Sequence, residues 1–99
     1  MPKIYKYLGI VILFHSREHD PIHVHGRHGG HESKAEIFIS NGNIEVGFKK
    51  VRGKTPLKKT QKDLFESFVV AKAEEIVQKW TAHFVWNTKV ELEEIQEEI

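Results

Sequence analysis

Six of the seven histidines fall in one short stretch: His15, His19, His23, His25, His28 and His31. His23 and His25 are separated by one residue, a spacing that on an extended strand projects both imidazoles from the same face. Two imidazoles so placed can chelate one metal ion. A third ligand, from His19 or Asp20 across a turn, would complete a three-ligand site with an open position, as catalytic zinc requires. Imidazole and carboxylate donors also suit nickel, copper or iron, so the candidate cofactor is zinc or another divalent transition metal. Metal-free chemistry is a second option, with His23 and His25 as base and acid and Arg27 as the transition-state cation of a ribonuclease-like site. Plainer roles compete with both. The histidines can be exposed loop residues, buried donors that hold backbone carbonyls, or contacts to phosphate or a partner when protonated. No nucleophile motif, P-loop, dinucleotide fingerprint or carboxylate pair in a recognisable context accompanies them. The expectation is therefore a protein that is not an enzyme.

A second constellation lies further along. Lys49, Lys50, Arg52, Lys54, Lys58, Lys59 and Lys62 form a basic segment with no intervening acid. Such a segment can track a phosphate backbone, with affinity that falls as salt rises, or dock an acidic partner. Aromatic residues are not interleaved with these cations as they are in single-strand binders. The segment belongs to a wider asymmetry. Residues 1–62 hold twelve Lys/Arg against five Asp/Glu, whereas residues 63–99 hold three against nine. The acidic tail could neutralise the basic half within the chain, or the two could serve as faces for different partners.

The elements that must position these groups are readable from periodicity. Residues 3–16 read as one strand, with Ile10, Ile12 and Phe14 on one face and Val11, Leu13 and His15 on the other. Both faces are apolar, which places the strand inside the sheet or under cover on both sides. Ser16 to Pro21 is turn chemistry. A short strand follows over 22–26, ended by Gly26 and then Gly29-Gly30. Strands over 33–40 and 43–50 flank Asn41-Gly42, a two-residue hairpin signal because both loop positions need positive φ. That loop pairs Ile39 with Ile44, Ile37 with Val46 and Ala35 with Phe48 on one face, and Phe38 with Glu45 and Glu36 with Gly47 on the other.

From about 56 to 86 the pattern is helical, with Thr55-Pro56 or Thr60 and Asp63 as candidate caps. Leu64, Phe65, Phe68 and Val69 make one apolar stripe. Ile76, Val77, Trp80 and Phe84 make another, rotated by about 100° around the helix axis. This predicts a kink or break near Ala71 to Glu74. Trp80, Phe84 and Trp86 are expected in the core, and the rotated stripes leave room for an apolar face that would support a homodimer. Asn87 is a helix stop, and Val90 and Leu92 alternating with glutamates suggest a short strand over 89–95.

Composition bounds the rest. Ninety-nine residues with 39% apolar and 29% charged side chains describe one globular domain, 1–99. The longest apolar run, Leu8 to Phe14, is too short to span a membrane, and no small-residue cleavage site follows it. With no cysteine there is no disulfide, thiolate ligand or cysteine nucleophile. A cytoplasmic location and no membrane partner are expected. The fold class is α+β: an antiparallel four-stranded β-meander followed by a kinked helix or helix pair, with a short C-terminal strand rejoining the sheet.

Several of these motifs resemble a known family. Met1-Pro2-Lys3-Ile4, Gly9-Ile10-Val11-Ile12, Glu18-His19-Asp20-Pro21-Ile22-His23-Val24-His25 and Glu74-Glu75-Ile76-Val77-Gln78-Lys79-Trp80 are similar to the bacterial domain-of-unknown-function family 4160. Ile22 stands where the family commonly has a second proline, and Val24 replaces an aromatic. The resemblance implies no established activity and no catalytic residue. It does imply a toxin–antitoxin-like arrangement, in which the partner is a small protein encoded nearby and RNA or DNA is a further target. It also makes His19, Pro21, His23 and His25 the best site candidates. The expected function is a partner-binding module with nucleic-acid contact through the basic segment. The alternative is a metal-dependent or histidine-based phosphodiesterase.

Overall fold

A computed structural model of the chain describes residues 2–14 and 22–99. Its strands are β1 (Lys3–Tyr7), β2 (Ile10–Leu13), β3 (Ile22–His28), β4 (His31–Ser40), β5 (Asn43–Lys50) and β6 (Glu93–Ile95), with one helix, α1 (Lys59–Phe84), between β5 and β6. They form a mixed sheet in the order β5-β4-β3-β2-β1-β6. β1 to β5 run antiparallel to their sequence neighbours, while β6 pairs with β1 in parallel. The fold is α+β as expected, but the four-stranded antiparallel meander is corrected to six strands.

The extra strand comes from a turn inside the expected 3–16 segment. Leu8 and Gly9 both have positive φ, 48° and 86°, the two-residue geometry that folds a hairpin tightly. Tyr7 therefore sits opposite Ile10 and Tyr5 opposite Ile12. A bulge between Lys3 and Tyr5 lets both Ile4 and Tyr5 join the buried core. β2 has strands on both sides, as its two apolar faces require.

β3 does not end at Gly26. It continues to His28 and turns at Gly29-Gly30, where φ is positive at both residues. β4 accordingly begins at His31 rather than 33. The Asn41-Gly42 hairpin has the register that its alternation dictates, including Ala35–Phe48, Ile37–Val46 and Ile39–Ile44.

α1 covers one face of the sheet. It is a single unbroken helix rather than a pair. Phe65, Phe68, Val69, Ala73 and Ile76 are buried, and Leu64, Val77, Trp80 and Phe84 are half-buried against the same core. The two stripes share a seam, because Val69 and Ile76 are only about 20° apart around the axis. A twisted sheet meets a helix along a winding line, so both stripes reach it within one continuous helix. Phe68 sits between Tyr5 and Tyr7, its ring centroid 4.8 and 4.4 Å from theirs. Truncating it to Ala would cost about 3–5 kcal/mol by removing that packing.

The helix starts three residues later than 56, and neither Thr55 nor Thr60 caps it: the N-cap is Lys58, with no side-chain bond. The Thr-Pro stretch instead clamps the start of β4. Glu32 N donates to Thr55 O at 2.8 Å, His31 Nδ1 donates to Pro56 O at 3.0 Å, and Leu57 N donates to Ser33 Oγ at 3.0 Å. At the other end Asn87 adopts the left-handed conformation expected of a stop, φ 54°. Trp86, expected in the core, lies beyond the last helical turn and is 72% exposed. The C-terminal strand covers only 93–95 of the expected 89–95. Among the described residues no helix is long and apolar enough to cross a membrane.

Candidate functional site

The strand period sorts the histidines onto two faces. Val24 is in the core on the helix side of β3, so His23, His25 and Arg27 project from the opposite face. There they meet β4 side chains through the register His23–Glu36, His25–Lys34 and Arg27–Glu32. Four charged or polar side chains on this face are buried: His23, His25, Glu32 and Glu36.

Glu32 is the hub. His25 Nδ1 lies 2.6 Å from Glu32 Oε2, and Arg27 Nε donates to Oε1 at 2.9 Å. Burial pushes the Glu32 pKa up, but the hydrogen bonds from His25 and Arg27, with their charges, outweigh it and hold the group below its ordinary range. An ionised carboxylate accepts only, so His25 Nδ1 carries the proton in this bond. Next to this cluster Lys49 Nζ is 3.0 Å from Glu36 Oε1, and Lys34 Nζ is 4.0 Å from Oε2.

His23 and His25 do share a face, with ring centroids 5.7 Å apart. His19 and Asp20, the other candidate ligands, lie outside the described residues, as do His15 and the turn expected over Ser16 to Pro21. Among the described residues no group of three or more His, Asp or Glu is placed to hold a metal ion. Sequence reading had Arg27 in view but missed Glu32 and Glu36. The signal was Gly29-Gly30: treated as a two-residue hairpin loop, it sets Arg27 opposite Glu32 and His23 opposite Glu36.

The basic segment divides into two groups. All seven of its cations are exposed. Lys49 pairs with Glu36, Lys59 with Asp63 at 3.0 Å and Lys62 with Glu66 at 3.6 Å. Lys50, Arg52, Lys54 and Lys58 have no ion pair among the described residues. The acidic half, residues 63–99, meets this segment through Asp63 and Glu66; among the described residues no ion pair joins the segment to a carboxylate beyond Glu66. β5, which starts the segment, and β6, which carries Glu93 and Glu94, are opposite edges of the sheet. Five strand spacings put them roughly 24 Å apart, well beyond the screening length of about 8 Å at physiological salt. Glu93 and Glu94 therefore do not neutralise the β5 edge.

A family model described as a domain of unknown function, DUF4160, matches residues 9–81. The chain belongs to the DUF4160 family. No curated protein and no solved structure matches it significantly. The DUF4160 span includes His23, His25, Arg27, Glu32 and the whole 49–62 segment, so both surfaces belong to the family's own region. β1 and β6 fall outside it.

Proposed function

We propose that this chain is a non-enzymatic binding module of a toxin–antitoxin-like pair, whose basic end docks a small acidic protein partner. The observation that carries this reading is the set of exposed cations, Lys50, Arg52, Lys54 and Lys58, with no carboxylate to satisfy them among the described residues. Such a surface gains most from an oppositely charged partner, which it steers in over a Debye length. The test is purification of the tagged protein from its own host at low salt without chelator, followed by native mass spectrometry. A small acidic protein should co-purify, be lost as salt rises, and be lost from Lys50/Arg52/Lys58→Gln. Nucleic acid in its place would shift the docking target to RNA or DNA. A partner retained by the variant at high salt would overturn the reading.

One observation favours a second reading, a histidine-based phosphodiesterase. The buried Glu32 orients His25 as carboxylates orient catalytic imidazoles, with Arg27 two residues away on the same face. A phosphodiester substrate cleaved by the wild-type protein and not by His25→Ala, with the fold intact, would bring this reading forward. One transition metal per chain in the same mass spectrum would bring forward its metal-dependent form.

A further inference from the structure

A cavity of about 460 Å³ opens where the β3–β4 turn meets the β1–β2 turn and the loop after β5. Arg27, His28, His31, Lys54 and Glu32 are on its wall, with Gly9, Gly29 and Gly30 between them. Its size falls in the range of small-molecule sites, about 300–1,000 Å³.

The wall groups are chemically matched. Glu32 takes the Nε of Arg27 at 2.9 Å, and its other oxygen is engaged by His25 at 2.6 Å. That fixes the guanidinium while its Nη donors keep no partner among the described residues. The Lys54 ammonium likewise has no acceptor there. His28 and His31 are directly opposed across the glycine turn. His31 Nδ1 is committed to Pro56 O at 3.0 Å, so Nε2 is the nitrogen it can offer a ligand. The glycines keep the rim low. Gly29 and Gly30 have positive φ and nothing within 4 Å of a Cβ position, whereas a Cβ on Gly9 would sit 3.6 Å from the His28 ring.

A cation is disfavoured by Arg27 and Lys54 together. We infer that this cavity is a phosphate-binding site, with the Arg27 fork and the Lys54 ammonium as the charged donors and His28 and His31 beside them. A planar guanidinium held at Nε matches phosphate oxygens with its remaining edge. The cavity exceeds what bare phosphate fills, so the phosphate arrives either free or on a nucleotide. The site shares only Lys54 with the partner surface proposed above and does not depend on it.

The test is amide NMR of the isotope-labelled full chain titrated with inorganic phosphate, AMP and adenosine. Phosphate and AMP should shift the Gly9, Gly29 and Gly30 amides saturably, and adenosine should not. Lys54→Gln, which removes no side-chain bond among the described residues, should weaken both at least fivefold. Arg27→Lys should do the same if it folds. Lys50/Arg52/Lys58→Gln should leave phosphate affinity unchanged even where it abolishes partner binding, so the two proposals fail separately. AMP binding tenfold tighter than phosphate assigns a nucleotide, and equal affinity assigns the free ion. Adenosine shifting the same amides, unmoved glycine amides, or unaltered affinity in Lys54→Gln would each overturn the site.

Discussion

Gly26 lies against the ring of Phe65: a Cβ at position 26 would fall 2.6 Å from Cδ1 and 2.7 Å from Cε1. The two residues tie β3 to α1 at the point where the sheet passes between the histidine face and the core. The glycine that looks like a strand breaker is paired with Ser33 and is small because the helix has to come this close.

Gly26→Ala should therefore destabilise by about 1–3 kcal/mol, since the fully buried Phe65 would have to shift and repack. Urea denaturation followed by tryptophan fluorescence measures it. Gly26→Ala combined with Phe65→Leu should recover part of the loss relative to the sum of the single changes. Additive losses would mean that the contact does not govern the site.

Glu32 makes stability pH-dependent with a defined sign. Its folded pKa is depressed below the ordinary 4.5 by His25 and Arg27, so its contribution is complete above that value. It is lost as the pH falls through the depressed pKa. Glu32→Gln should cost about 1–3 kcal/mol at neutral pH, because it leaves buried donors with a poorer acceptor. The difference between wild type and variant should shrink below pH 4.5. Denaturation midpoints at several pH values would show the convergence, and a constant difference would exclude the carboxylate as its source.

Parts of this structure are legible in the sequence, and the reasons are local. Asn41-Gly42 set both turn and register because alternation and turn chemistry agreed. The Leu8-Gly9 turn was hidden, since leucine is not a turn residue and apolar residues continue on both sides of it. The parallel pairing of β6 was not readable either, because alternation in a segment says nothing about which strand receives it. At the candidate site, period two placed His23 and His25 together, but Glu32 enters only through the β3–β4 register. The division of the basic segment into paired and unpaired lysines is likewise tertiary for Lys49, while the Lys59–Asp63 and Lys62–Glu66 pairs follow from helical i, i+4 spacing.

That division yields a comparison of the loss per cation removed between two variants. Lys59 and Lys62 each have a carboxylate within 4 Å, which cancels much of their field at a distance. Lys50/Arg52/Lys58→Gln should weaken polyanion binding at least tenfold at about 0.1 M salt and flatten its salt dependence. Lys59/Lys62→Gln should weaken it less than threefold. Retention on heparin across a salt gradient ranks the three proteins, and an equal loss per charge removed would show that only total charge matters.

Tyr5 links the N-terminal strand to the helix through a charge-assisted bond, its hydroxyl donating to Glu75 Oε1 at 2.5 Å. Burial and the Glu75 charge push the Tyr5 pKa far up, so the hydroxyl stays a donor. In return, that hydrogen bond is the largest influence lowering the pKa of Glu75, ahead of the charges of Lys72 and Lys79. Tyr5→Phe removes the donor and keeps the ring that packs on Phe68. The Glu75 pKa should then rise toward its ordinary value, and stability should fall by about 1.5–3 kcal/mol, the usual worth of a bond to a charged group. Carboxyl-detected NMR titration reads the first effect and chemical denaturation the second. Glu75→Ala should largely abolish the additional cost of Tyr5→Phe, because the two changes remove the same bond. Full costs in both backgrounds would mean that the tyrosine acts through its burial alone.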